Sequence, residues 1–124
     1  MSKGTDEYLE GMKEAQTIRE FESALYYALN AGLYDEFLYT TDYLQMACAK
    51  KNNKFGLVKL VGMDNNRPPR FSERIPVIYD EITEPGSIYL AVRHNDKWGL
   101  FYRYNGEQVK PFEYDKEDIL KFMK

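Results

Sequence analysis

Cysteine, histidine and tryptophan are scarce in this chain of 124 residues, which contains one of each. The single cysteine, Cys48, rules out a disulfide within the chain, and such a composition is typical of a reducing compartment. One histidine and one cysteine are too few for an ordinary zinc site. No run approaches the roughly 18 apolar residues of a membrane span, and residues 1–7 lack the apolar stretch of a secretion signal. We therefore expect a cytoplasmic protein without a metal or another cofactor.

Groups that could carry out catalysis are equally sparse. His94 lies in a predicted turn, where a solvated side chain is a better interpretation than a catalytic base. Cys48 lies in the apolar run Met46–Ala49, which favours burial over a role as nucleophile. Asp80 and Glu81 are adjacent acids at a predicted strand end, whereas paired-carboxylate catalysis needs burial that separates the two pKa values. We predict that the protein is not an enzyme.

Charge is distributed unevenly along the chain. The formal net charge is −3, but residues 1–46 contribute −6 and residues 47–124 contribute +3. One interpretation is an ordinary solvated surface. The other is an acidic face directed at a basic partner, because like charges on one face focus a field. Excess negative charge in the first part disfavours binding of nucleic acid there.

The first third of the sequence has the pattern of helices. Thr5 can begin one helix, and residues 17–20 match a capping box for a second. An apolar stripe at helical spacing follows, and it ends at Asn30–Gly32, where Asn and Gly accept a left-handed conformation. The stripe consists of Ile18, Phe21, Leu25, Ala28 and Leu29. Residues 33–41 indicate another short helix, so we assign residues 1–43 to an acidic helical region.

From residue 44 onward, short apolar runs alternate with turn signals, which is the pattern of strands. Asn105–Gly106 predicts a type I′ hairpin turn, and tight links of this kind favour antiparallel pairing. Residues 115–123 indicate a short closing helix. The predicted strands of this region, residues 44–124, are Leu44–Ala49, Phe55–Val61, Val77–Tyr79, Ile88–Arg93, Gly99–Tyr104 and Gln108–Val109.

The β region contains two similar segments. Each has a Lys-aromatic-Gly-Leu step and then a Pro-x-x-Tyr-Asp step, at Lys54–Leu57 and Pro76–Asp80 in the first copy and at Lys97–Leu100 and Pro111–Asp115 in the second. The aromatic residue and the proline are about eight residues farther apart in the first copy. That difference predicts an insertion within residues 62–74.

At these residues, over about 44–118, the chain resembles WG-repeat proteins. Their unit is a strand, a polar turn, a Lys-Trp-Gly-Leu-like step, a second strand, an Asn/Asp-Gly turn and a Pro-x-x-Tyr-Asp step. The second copy follows this unit, whereas in the first Phe55 replaces the tryptophan and Gly62–Arg70 replaces the Asp-Gly turn. The resemblance implies an interaction module rather than a catalyst. The resemblance implies a structural role for Phe55, Gly56, Pro76, Tyr79, Trp98, Gly99, Pro111 and Tyr114.

Together these patterns predict one α+β body, with N-terminal helices packed on an antiparallel sheet made of two degenerate WG-like repeats. Repeat units of this kind usually need about three copies to bury their apolar faces against one another. With two units, the N-terminal helices or a second protein chain must cover the remaining face. We expect Gly56 and Gly99 to allow a bulge or a close backbone approach. Pro76 and Pro111 lack an N–H, which places them at a strand start or an edge.

Binding is the remaining role. The eleven tyrosines are suited either to core packing or to an interface. The insertion is predicted to be a basic surface loop that either binds a partner or is merely tolerated. The residues that we predict to contact a partner are Arg67, Arg70, Phe71, Arg103, Tyr26, Tyr34 and Tyr39.

The function that we predict is a non-enzymatic, small inhibitor or immunity-type protein. It would occlude a larger bacterial or phage protein, such as a toxin or a nucleic-acid-handling defence enzyme, through a basic surface on that partner. The alternatives are a structural or adaptor module that homodimerises through a sheet edge, and a weak RNA-binding protein. The sequence leaves open whether the protein is a monomer or a homodimer.

Overall fold

A computed structural model describes residues 19–41, 44–64, 67–83 and 88–122, and over these ranges the protein has an α+β fold. The helix start predicted at Thr5 and the capping box from Thr17 fall outside the described residues, except for Arg19 and Glu20. Residues 19–30 are helical and are named α1 here. The predicted α+β class is therefore confirmed at this level.

The strands form two four-stranded antiparallel sheets, each a simple meander. The first sheet contains β1 (Glu36–Thr41), β2 (Met46–Lys51), β3 (Lys54–Asp64) and β4 (Arg67–Tyr79). The second contains β5 (Glu81–Ile82), β6 (Tyr89–His94), β7 (Lys97–Tyr102) and β8 (Gln108–Tyr114). A short helix, α2 (Lys116–Lys121), follows. Each of the six predicted strands overlaps an observed strand, and the predicted closing helix overlaps α2.

The predicted helix over residues 33–41 is wrong, because Glu36–Thr41 forms strand β1. Phe37 packs toward α1, whereas its neighbour Leu38 packs on the core between the sheets. Consecutive residues that are buried on opposite sides require the two-residue period of a strand. The apolar spacing alone also fits one helical turn, and only pairing with β2 decides between them.

The predicted surface loop within residues 62–74 is also wrong, because its described residues, 62–64 and 67–74, extend β3 and β4. Gly62 pairs with Arg70, and Asp64 pairs with Arg67. Pro68 and Pro69 fit into β4 because it is an edge strand, where one side needs no N–H donor.

The type I′ turn predicted at Asn105–Gly106 is not formed. Residues 103–106 make a longer connection, in which Gly106 alone of the pair has a positive φ, 75°. The Tyr102 N–H donates to the Glu107 carbonyl across it, at 2.7 Å. Two-residue turns with positive φ at both positions occur instead at Asn52–Asn53 and at Asn95–Asp96. Such turns match the twist of the flanking strands.

The helices and sheets stack in the order α1, first sheet, second sheet, α2. The hydrophobic core lies in the three spaces between them. The middle layer buries residues from both sheets, namely Met46, Cys48, Leu57, Ile75, Ile82, Leu90, Val92 and Phe101. On the outer face of the first sheet, Phe21 and Ala24 of α1 pack on Ala47 and Leu60. On the outer face of the second, Ile119 of α2 packs on Ala91, Trp98 and Leu100.

The strands β2–β4, called the first unit here, and β6–β8, called the second unit, have matching registers. Phe55 lies opposite Tyr79, and Trp98 lies opposite Tyr114. Two residues farther along β3, Leu57 lies opposite Ile75, and two residues farther along β7, Leu100 lies opposite Lys110. Ile75 and Lys110 are each four residues away from the tyrosine in the partner strand. Each unit therefore has three residues opposite one glycine, two more than a regular ladder would have.

Gly56 and Gly99 are those glycines, and the predicted close backbone approach is confirmed at both. A Cβ atom at Gly56 would lie 2.7 Å from the carbonyl carbon of Pro76, and one at Gly99 would lie 2.8 Å from the carbonyl oxygen of Lys110. Pro76 and Pro111 begin the bulged segments, where the regular ladder is interrupted and a missing N–H is tolerated.

An aspartate that follows a tyrosine precedes each unit and accepts a hydrogen bond from the unit's central turn. Asp35 accepts a hydrogen bond from the Asn52 backbone N–H at 2.8 Å, and Asp80 accepts one from the Asn95 N–H at 3.0 Å. Tyr34–Asp35 thus precedes β1 as Tyr79–Asp80 precedes β5. A further Tyr-Asp step, Tyr34–Asp35, thus precedes the first unit, inside the stretch that the sequence assigned to helix.

Candidate protein-binding surface

An open groove runs between α1 and β1 on the first sheet. Its volume is about 470 Å³, and we call it the helix groove. Apolar and acidic side chains share its walls. The residues that line it are Glu22, Leu25, Tyr26, Leu29, Asp35, Glu36, Phe37 and Thr40.

The groove exists because α1 carries more apolar side chains than the sheet covers. Phe21, Ala24 and Ala28 face the sheet and are fully buried. Tyr26 and Leu29 lie on the neighbouring side of the helix and remain 68% and 36% exposed. Contiguous exposed apolar side chains rimmed by polar ones are typical of sites that bind another molecule.

Negative charge is concentrated at the groove. The charged side chains among its described lining residues are all carboxylates, those of Glu22, Asp35 and Glu36. The hydrogen bond from the Asn52 N–H and, secondarily, the nearby Lys51 lower the pKa of Asp35, so this side chain stays charged to a lower pH than an ordinary aspartate. Lys51 lies 3.5 Å from Asp35 and offsets part of the charge. The groove is therefore complementary to a basic, partly apolar partner surface.

Of the predicted contact residues, Tyr26 lies in the helix groove, whereas Tyr34 and Phe71 are half-buried, pack against each other and line a different cleft. Their ring centroids are 6.1 Å apart, and both rings contact Phe37. The Tyr34 hydroxyl donates to Glu73 at 3.4 Å. Burial, followed by the Glu73 charge, raises the pKa of Tyr34 to about 12. Both side chains therefore tie β1 to β4.

Tyr39 and Arg103 lie away from the groove. Tyr39 is 38% exposed, has a φ of 53°, and lines a different cleft beside Phe55. Arg103 is half-buried and donates to the hydroxyl of Thr41, which is 8% exposed. Arg103 therefore links the connection after β7 to the end of β1, and its guanidinium does not form an outer binding surface.

Arg67 and Arg70 are exposed near the start of β4. Because β1 and β4 are the two edges of the first sheet, this arginine pair and the strand wall of the groove lie on opposite edges. The structure thus separates Arg67 and Arg70 from Tyr26, although the sequence predicted all three as partner contacts.

The reactive side chains that the sequence singled out are packed. Cys48 is 1% exposed, and burial raises the pKa of its thiol to about 12, which confirms its predicted burial. His94 ends β6 rather than lying in a turn, and its half-buried ring is 5.4 Å from that of Tyr79 and 5.3 Å from that of Phe112. The solvated turn predicted for His94 is therefore wrong.

Within the described residues, no cluster of three or more His, Cys, Asp or Glu side chains is suited to a metal ion. None of the helices there has the length and apolar character needed to cross a membrane.

Sequence reasoning missed most of the groove. Leu25 and Leu29 were assigned to the buried stripe, and Glu36 and Thr40 to a region predicted as helix. One usable signal was present, because Tyr26 and its neighbour Tyr27 cannot both face the core together with the stripe. In comparisons of the chain with protein-family models, with curated proteins and with solved structures, no match was found.

Proposed function

We propose that the protein is a non-enzymatic binding module of the cytoplasm that occludes a larger bacterial or phage protein, such as a toxin or a nucleic-acid-handling defence enzyme. The helix groove is its contact surface, and this groove binds a basic segment of the partner. The observation that carries this proposal is the pair of exposed apolar side chains Tyr26 and Leu29, which lie with the half-buried Leu25 beside three carboxylates.

Apolar and charged groups have different parts in such an interface. Tyr26 has a large ring with few rotatable bonds, so its burial by a partner carries a small entropic penalty. The carboxylates of Glu22 and Glu36 would speed association with a basic surface and reject acidic ones. The loss expected for a truncated aromatic anchor is about 2 kcal/mol, which corresponds to about a 30-fold weaker affinity.

We further propose that the two units are degenerate copies of a WG-like repeat. The repeat proposal is supported by the matching register around Phe55 and Trp98. In both units a glycine, a bulge that begins at a proline and a Tyr-Asp step follow at corresponding places. In this interpretation the repeat supplies the scaffold, and α1 supplies the binding function.

Two rival functions have less physical support. Homodimerisation through a sheet edge would need a long regular edge strand. Here β1 has a register shift, β4 contains prolines, β5 has two residues, and β8 contains Pro111. Such features discourage edge pairing. RNA binding through arginines is weakened because Arg103 is directed at Thr41.

The proposal is tested first by capture from a bacterial or phage-infected lysate, and then by reconstitution with the purified partner. The chain should abolish the partner's activity at a one-to-one ratio. Tyr26→Ala should weaken binding about 30-fold, and Glu22→Lys/Glu36→Lys should weaken it most at low salt. The matched control, Arg67→Glu/Arg70→Glu, changes charge on the opposite edge and should bind normally.

Each arm can fail separately. Loss of binding in the arginine variant, with both groove variants unaffected, would move the contact surface to β4. A captured partner that stays fully active when saturated would refute occlusion. A doubled mass in light scattering would favour the homodimer, and a salt-sensitive oligonucleotide shift would favour RNA.

A further inference from the structure

The two units bury corresponding faces against different neighbours. In the first unit, Cys48 lies opposite Leu57, and this pair faces the second sheet. In the second unit the corresponding pair is Ala91 opposite Leu100. These two residues and Trp98 form the outer face of the second sheet, called the Trp98 face here.

Very different structures cover these corresponding faces. The first unit is covered by a whole sheet, whose contacting side chains include Leu90, Val92 and Phe101. The Trp98 face is covered by α2, in which Ile119 is the one buried residue. The Lys116 ammonium group also lies over the Trp98 ring, 5.4 Å from its centroid.

Helix α2 is a weak cover by itself. It has six residues, and its N-cap residue, Asp115, makes no side-chain capping hydrogen bond. Leu120 is 37% exposed, and Phe122, which ends the helix, is 40% exposed. A helix of this length is not stable in water without tertiary contacts, so its folding depends on the burial of Ile119 and on the contact of the Phe122 ring with Tyr114.

We propose that α2 is a displaceable lid, and that the Trp98 face beneath it is a second binding surface for an antiparallel β-hairpin with an aliphatic and aromatic face. The established contact between the two sheets identifies this occupant. It already places a hairpin of that chemistry, with Leu90, Val92 and Phe101, on the corresponding face of the first unit. The proposal does not depend on the helix groove.

The lid is tested with Ile119→Asp and a matched control, Leu120→Asp, which places the same charge at an exposed position. Trp98 is the single tryptophan of the chain and reports directly on its own face. Acrylamide quenching of its fluorescence should rise several-fold in Ile119→Asp, with far-UV circular dichroism of the sheets retained. It should stay unchanged in Leu120→Asp.

Two outcomes would refute the proposal that α2 is a displaceable lid. Trp98 could remain as protected in Ile119→Asp as in the native chain. Alternatively, Ile119→Asp could lose the signal of the whole fold, which would make α2 an integral part of the core. Hydrogen exchange of β7 amides distinguishes local opening from global unfolding in the same samples.

The predicted occupant is tested with a longer engineered chain that contains the hairpin twice. In this chain residues 1–114 are followed directly by a second copy of residues 80–124, so that Tyr114 precedes Asp80 and the Tyr-Asp step is preserved. If the added hairpin docks on the Trp98 face, both tryptophans should be protected from quenching, and the chain should unfold in one transition.

The control for this longer chain carries Leu90→Asp and Phe101→Asp in the added copy alone. It should expose the first tryptophan and make the added segment sensitive to protease. The proposal is overturned if the unaltered longer chain already shows an exposed first tryptophan or releases the added copy on brief proteolysis.

Discussion

Replacing Gly56 with alanine tests whether the bulges of the two units depend on close backbone contact. The new Cβ would lie 2.7 Å from the carbonyl carbon of Pro76. Carbon atoms in ordinary contact are about 3.5–4.0 Å apart, so β4 must retreat by about 1 Å. The contacting atoms belong to backbone, which cannot rotate away as a side chain can.

The expected loss of stability combines three effects. Overpacking costs about 1–3 kcal/mol, and disturbance of one adjacent strand hydrogen bond costs about 1 kcal/mol. Loss of glycine's freedom in the unfolded chain restores about 0.4–1 kcal/mol. We expect a net destabilisation of about 2 kcal/mol, or a Tm about 6 to 10 °C lower for a chain of this size.

Urea unfolding followed by Trp98 fluorescence and circular dichroism measures this loss. Gly99→Ala should be milder, because one of its close contacts is the Phe112 ring, which can move. Gly62→Ala is the matched control, since its Cβ would meet the flexible guanidinium group of Arg70. Equal stability of the Gly56 and Gly62 variants would refute the account of the bulge.

Three further predictions concern the core and the charged turns. Phe21→Ala removes a fully buried ring between α1 and the first sheet, so the free energy of unfolding should fall by about 3–5 kcal/mol in urea titrations. The Cys48 thiol, with a pKa of about 12, should react with a disulfide reagent at pH 8 at a rate set by unfolding, and a native-state rate equal to that of the denatured chain would contradict its burial. Asp80 has its pKa lowered by the Lys54 hydrogen bond and then by the Asn95 N–H. It therefore stabilises the fold above its unfolded pKa of 3.8, and that contribution is lost as the pH falls through the lower folded value. Asp80→Asn should make urea midpoints less dependent on pH below about 4, whereas an unchanged acid-side slope would assign that slope to other groups.

Local sequence patterns predicted the second unit well. Trp98, Gly99 and Pro111 follow one another at a spacing that matches the observed hairpin and bulge. The burial of Cys48 was also predicted, because it depends on the apolar neighbours of this residue in the chain. The burial of Phe21 followed from helical periodicity alone.

Predictions failed where distant residues decide the outcome. Phe37 and Leu38 fit a helical turn as well as a strand, and the choice rests on pairing with β2. The insertion was predicted as a loop because the first copy is longer than the second, yet its described residues pair with each other and lengthen β3 and β4. The helix groove could not be predicted, since Tyr26 becomes part of a surface only where α1 meets β1.

The sequence by itself determined the α+β class, the alternation of strands and turns, and the corresponding places of Phe55 and Trp98, because each depends on side-chain period and backbone preference over a few residues. The tertiary structure decided which face each ring covers, where Arg103 is directed and which side of α1 stays exposed. These outcomes depend on contacts between residues far apart in the chain, and no local pattern encodes the distance between two elements.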